Sequence, residues 1–141
     1  MQPKIFLDTN VFIYSFEFPD SNSKKIITLL NKGKIRAITS SIVFNEVIKY
    51  FEKYHNAKLS KYYGIYLTSS CIIIPAGYVK DEIENWLNKI KDKDLEQIAV
   101  VKKLKIPYLI SYDRDFADFQ EYLTPKKFIE LIGIKASNSE F

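Results

Sequence analysis

Two hydrophobic rhythms alternate along the chain. Short continuous apolar runs fall at residues 4–7 ("KIFL"), 35–39 ("IRAIT"), 71–75 ("CIIIP") and 108–111 ("YLIS"), with a shorter one at 121–123 ("EYL"). Runs of that length bounded by polar or turn residues read as buried strands. Between them, apolar residues recur at three- and four-residue spacing. That pattern predicts helices from near Val11 and over 22–33, 40–55, 59–70, 80–90, 94–105 and 125–133. Local signals agree with these limits. Gly33 and Gly133 stand where helices stop, Ser40 or Ser41 is placed to cap one, Pro75 ends a strand, and Pro125 opens a helix. Alternating strands and helices imply an α/β fold, a parallel sheet of about five strands flanked by helices on both faces. The pattern reads as one domain over residues 1–135, with 136–141 ("ASNSEF") as a flexible tail that has little to bury.

Composition narrows the chemistry. The chain has 141 residues, 47% of them hydrophobic, enough for one domain with a real core. Cys71 is the only cysteine and His55 the only histidine, so an intrachain disulfide or zinc cluster is excluded and Ser–His or Cys–His catalysis is unattractive. Cys71 is expected to act as a small buried hydrophobe and His55 to be solvated. No apolar run approaches the roughly 20 residues of a membrane span. With no charged leader ahead of the first strand, a soluble cytoplasmic protein is expected. The net charge of +4 leans weakly towards a polyanionic partner.

In a parallel sheet, functional groups gather beyond the carboxyl ends of the strands. Asp8 follows the first strand; Asp113, with Asp115 beside it, follows the fourth. Glu46 is three residues after Val43 and four before Tyr50, which reads as an inward-facing position on helix 40–55. Asp94 heads helix 94–105 in a "DLEQ" capping-box pattern and leans towards Ile98, with Asp92 and Glu96 as alternatives. Each acid taken singly has a structural explanation as a cap, a turn residue or a salt bridge. Together they are a set that a doubly wound fold can bring to one crevice. Two carboxylates at about 4 Å repel by roughly 1 kcal/mol in water and about 4 kcal/mol at an effective dielectric near 20. With no imidazole or thiolate available, hard oxygen ligands imply Mg²⁺ or Mn²⁺ as the compensating charge.

The stretches "FLDTNVFIY", "SSIVFNEV", "DLEQIAVVKKLKIPYLISYDRDF" and "TPKKFIELIG" resemble, in order and over nearly the whole chain, a PIN-domain ribonuclease of the VapC toxin type. The resemblance implies a PIN-like three-layer α/β/α fold. It also implies a metal-dependent ribonuclease with Asp8, Glu46, Asp94 and Asp113 as catalytic metal ligands, Asp115 and Glu96 as alternates, and Thr9 and Asn10 orienting ligands and water behind them. At the third acid the chain departs from the pattern. The family position often falls at Leu95, so Asp94 is one residue early and Glu96 one late. The implied chemistry is attack of a metal-activated water on an RNA phosphodiester, leaving a 5′-phosphate and a 3′-hydroxyl. The implied partners are RNA, an antitoxin protein and a second copy of the chain.

Lys49, Lys102 and Arg114 are candidates to contact phosphates, and Tyr62, Tyr63 and Tyr66 to stack on unpaired bases. Two other readings stay open: a non-catalytic PIN-like module that binds RNA or protein, and a PIN nuclease of RNA processing or decay with no antitoxin. An aspartyl-phosphate phosphatase wants a second aspartate at position 10, where the chain has Asn10, and a phosphoacceptor receiver wants one after the third strand, where "CIIIPAG" offers none.

Overall fold

Strand β1 (Lys4–Leu7) lies at the centre of a parallel sheet, with β2 (Arg36–Ser40) and β3 (Cys71–Ile74) to one side and β4 (Tyr108–Ile110) and β5 (Tyr122–Leu123) to the other, in the order β3-β2-β1-β4-β5. The structure is a computed structural model, and it describes residues 2–139 and 141. The central strands are the most apolar because both their faces are covered: Ile5, Phe6, Leu7, Leu109 and Ile110 are fully buried. Register sets Leu7 opposite Ile110, and the Asp8 amide continues the ladder by donating to the Ile110 carbonyl at 3.1 Å.

Helices α1 (Thr9–Glu17) and α2 (Asn22–Asn31) connect β1 to β2. Helices α3 (Ser41–Tyr54) and α4 (Ala57–Ser70) connect β2 to β3, α5 (Lys80–Trp86) and α6 (Leu95–Lys103) connect β3 to β4, and α7 (Pro125–Leu131) follows β5. Connections run outward from β1 to β3 and then return across the sheet to β4. Right-handed crossovers therefore place the first two helix pairs on one face and α5 and α6 on the other. The strand order reverses between β1 and β4, and the crevice at such a switch point is where a doubly wound sheet holds its ligands.

Ser40 is the residue that caps α3, accepting from the Val43 amide. The helix expected over 80–90 ends at Trp86, because Asn88 takes a left-handed conformation with φ 65°. The "DLEQ" capping box does not form. Asp92–Asp94 make a 3-10 turn, α6 starts at Leu95, and the Asp94 side chain makes no capping bond.

The last residues, expected to be loose, lie against the body. Buried Asn22 needs amide partners: its Oδ1 accepts from the Ser137 amide at 2.8 Å and its Nδ2 donates to the Ser137 and Ser139 carbonyls. The Phe141 ring stacks on Phe18 at 5.0 Å and packs on Tyr14 at 4.4 Å. Glu140, part of the same expected tail, and Met1 lie outside the described residues.

His55 is exposed but paired, 3.0 Å from Glu17 Oε2, which also accepts from Tyr50 Oη at 2.7 Å. Cys71 opens an edge strand and is half-buried, with burial pushing its thiol up to about 12.

Candidate active site

Asp8 and Asp113 flank the switch point, and one buried serine joins them. Ser111 Oγ donates to Asp8 Oδ2 at 2.6 Å and accepts from the Asp113 amide at 2.9 Å. Ser111 is the residue after β4 and lies beside Asp8 because Leu7 and Ile110 are paired in register. Asp8 also caps α1, its Oδ1 accepting from the Thr9 amide at 2.9 Å. Both of its oxygens are thereby fixed. Asp113 Oδ1 accepts from the Asp115 amide at 2.9 Å, which opens the 3-10 turn Arg114–Phe116 and turns Asp115 back towards the crevice.

Asp94, Asp113 and Asp115 each offer a carboxylate oxygen within 4.8 Å of the other two. Asp94 is 3% exposed, and its Oδ2 accepts no hydrogen bond. A buried carboxylate oxygen without a donor is costly unless a cation faces it. Lys93 supplies one such charge: its Nζ lies 2.7 Å from Asp113, 3.3 Å from Asp94 and 3.5 Å from Asp115. Lys91 pairs with Asp115 at 3.0 Å.

Glu46 is not turned into the core, as its spacing from Val43 and Tyr50 suggests, but is exposed. The buried stripe of α3 is Val43, Val47 and Phe51, and Glu46 sits about 100° round from Val47, at the stripe's edge. From there it reaches the crevice, where Thr9 Oγ1 donates to its Oε1 at 3.1 Å. Thr9 therefore links Glu46 to Asp8, as Ser111 links Asp8 to Asp113. Asp8 and Glu46 border the close trio through these hydrogen bonds and stand outside its 4.8 Å limit.

Burial first, and then mutual repulsion, act on the carboxyls of the crevice. Burial, then the charges of Glu46 and Asp113, hold Asp8 above the usual carboxylate range, against the opposing effect of its Ser111 and Thr9 hydrogen bonds. Burial and the charge of Asp113 do the same to Asp94. Glu46, though exposed on its outer side, is raised chiefly by the partial desolvation of its carboxyl at the crevice mouth, with the charges of Asp94 and Glu96 adding to it against the Thr9 hydrogen bond and Lys93. Asp115 is held low by Lys91.

Among the alternates, Asp92 is exposed on its turn, and Glu96 serves a different purpose. Glu96 is buried, and its Oε2 accepts from the Ile42 amide at 2.8 Å and from Ser41 Oγ at 3.2 Å. It satisfies the amino end of α3, the helix that carries Glu46. Ser111, Lys93 and this use of Glu96 were not apparent in the sequence. A polar residue closing a strand beside Asp8 was the available signal for Ser111, and nothing set Lys93 apart from other lysines.

A cleft of about 620 Å³ opens from Asp113 and Asn10, and Arg114, Lys126, Tyr122 and Thr124 also line it. Lys49 is exposed one turn beyond Glu46 on α3. Lys102 is otherwise engaged: its Nζ pairs with Glu121 at 2.8 Å and lies over the Trp86 and Phe119 rings. Tyr63 is buried, stacked on Phe51 at 4.1 Å, and Tyr66 Oη donates to Asn31, so these two rings belong to packing; Tyr62 remains exposed.

The close trio fits a hard divalent cation: it is all oxygen, converges from the segment after β4 and from the turn ahead of α6, and includes a buried oxygen that lacks a hydrogen-bond donor.

The family model described as PIN domain matches residues 5–122. Solved structures share the fold. A toxin–antitoxin complex from Klebsiella pneumoniae has TM-score 0.67 and 22% identity, covering 86% of this chain and 97% of that one. VapBC-1 from nontypeable Haemophilus influenzae has TM-score 0.63 and 22% identity, covering 86% and 98%. Mycobacterium tuberculosis VapC20, a sarcin–ricin-loop-cleaving toxin, has TM-score 0.61 and 17% identity, covering 80% and 92%. No curated protein matches the sequence at a significant level.

Proposed function

Because the chain belongs to the PIN domain family, we propose that it is a Mg²⁺- or Mn²⁺-dependent ribonuclease that hydrolyses RNA phosphodiester bonds, acting as the toxin of a toxin–antitoxin pair. One observation carries the reading: carboxylates from separate parts of the chain meet at the topological switch point, with Asp94 Oδ2 buried there and lacking a hydrogen-bond donor. Asp8, Glu46, Asp94 and Asp113 would hold the ion, with Asp115 in reach of Asp94 and Asp113. A bound divalent ion supplies an acidified water and a counter-charge for the phosphoryl oxygens.

The chain's own groups do the rest. Ser111 and Thr9 lock the Asp8 carboxylate in one orientation, and Thr9 holds Glu46 at the mouth of the crevice. Asn10, exposed at the start of α1, lines the adjoining cleft. Arg114, Lys126 and Lys49 surround the acids with positive charge and position the phosphate backbone, which the carboxylates alone would repel.

The toxin role and the antitoxin partner draw support from the single-domain layout and from likeness in fold to toxins solved in antitoxin complexes. A homodimer is part of the same reading, and exposed Tyr62 and Ile65 on α4 offer one apolar surface to it.

Lys93 favours a second reading, a PIN-like module without catalysis, since its ammonium already balances three of the acids. An end-labelled single-stranded RNA incubated with protein and Mn²⁺ separates the two. Cleavage that EDTA and Asp8→Asn each abolish supports the nuclease. RNA left intact while still bound supports the module. Growth arrest on expression, relieved by Asp8→Asn and by a co-transcribed neighbour, tests the toxin role; harmless expression removes that role and leaves the nuclease.

A further inference from the structure

Lys93 stands where a cation would stand. Its ammonium touches Asp94, Asp113 and Asp115, which are also the three carboxylates that approach within 4.8 Å of one another. It donates a hydrogen bond to Asp113 Oδ2 at 2.7 Å and to Asp94 Oδ1 at 3.3 Å. The side chain is 59% exposed, so its water side is free. Its backbone belongs to the Asp92–Asp94 turn, immediately before Asp94, so the charge is tied to the same turn as the carboxylate it faces.

We infer that Lys93 is a tethered counter-ion that a divalent cation must displace, so that this side chain sets the metal affinity of the site. The inference rests on the metal-dependent reading above and deepens it. An ammonium has no lone pair to share with a metal, and two cations cannot use the same oxygens. At about 4 Å their charges repel even in water. Entry of the ion therefore requires the Lys93 ion pairs to break, and the four-carbon stem lets the head swing into solvent without moving the turn. Metal binding is then the difference between two cations competing for the same carboxylates. The design keeps the acids neutralised when divalent cations are scarce and lowers affinity when they are present. Lys91, paired with Asp115 alone, does not compete for the buried oxygens of Asp94.

Calorimetric titration of Mn²⁺ into RNA-free protein tests this on the wild type, Lys93→Gln and Lys93→Arg, with melting curves in EDTA alongside. Lys93→Gln should bind Mn²⁺ about tenfold more tightly, which corresponds to about 1.4 kcal/mol, and should melt at a lower temperature than wild type in EDTA. Lys93→Arg keeps the charge and should bind within about threefold of wild type, a rescue that loss of mere packing would not give. If the wild type takes up Mn²⁺ and Lys93→Gln takes it up no more tightly, the inference is overturned while the metal-dependent reading stands. If no form takes up Mn²⁺, that reading fails and the inference with it.

Discussion

A carboxylate gains most from burial when a cation waits for it, and Asp94 is the residue where that condition is sharpest. It is 3% exposed, its Oδ2 lacks a hydrogen-bond donor, and burial and Asp113 together hold its carboxyl above the usual range. Asp94→Asn should therefore remove Mn²⁺-dependent cleavage while leaving the fold in EDTA as stable as wild type or more so, measured by urea denaturation. Asp8, Glu46 and Asp94 all bind a proton more readily in the folded chain than in the unfolded one. The folded state thus carries the extra protons in the window just above the ordinary carboxylate range, and stability falls as pH rises through it. Melting temperatures in EDTA should drop as pH rises above the ordinary carboxylate range of about 4, and Asp94→Asn should flatten the slope. Ser111 holds two acids in register. Ser111→Ala leaves the Asp113 amide without its acceptor and Asp8 without its donor, so it should cost about 1–2 kcal/mol of stability in denaturant titration and about 10–100-fold in activity.

Helices carry the remaining acids, and here the sequence was informative unevenly. Asp8 and Asp113 were legible because an acid that ends a strand in a doubly wound sheet has few other places to point. Glu46 was legible as unusual but misplaced, because Tyr50 and Tyr54 widened the apparent apolar stripe of α3 beyond its buried centre at Val43, Val47 and Phe51. The 3-10 turn ahead of α6 was not legible at all. It moves the helix start to Leu95, buries Leu95, sends Asp94 into the crevice and turns Glu96 onto the amino end of α3. Sequence spacing alone could not decide between neighbours one residue apart, because that decision belongs to the backbone of the turn. Glu96→Ala should therefore weaken α3 by about 1–2 kcal/mol in denaturant titration and, by loosening Glu46, reduce Mn²⁺ affinity without removing any ligand. The Phe51–Tyr63 stack joins α3 to α4. Phe51→Ala should cost about 3–5 kcal/mol, read as an early loss of the folded baseline.

At the scale of the molecule, a small positive excess surrounds an acidic crevice. The net charge is +4, and Arg114 and Lys126 line the cleft that opens beside Asp113. Neutralising both should raise KM for RNA and shrink its salt dependence with little change in kcat. Lys102→Ala should leave the salt dependence alone and lower stability, since Lys102 is spent on Glu121 and Trp86. Among the described residues no helix is long and apolar enough to cross a membrane. If the acids share an ion, Mn²⁺ at about 100 times its dissociation constant should stabilise the fold by roughly 2.7 kcal/mol.

The most direct test is the anomalous scattering of a crystal soaked in Mn²⁺. The account predicts a peak in the crevice held by carboxylate oxygens of Asp94 and Asp113, with Asp8 and Glu46 facing it and Lys93 turned away. An occupied Mn²⁺ site elsewhere, with Lys93 still seated among the carboxylates at saturating metal, contradicts it.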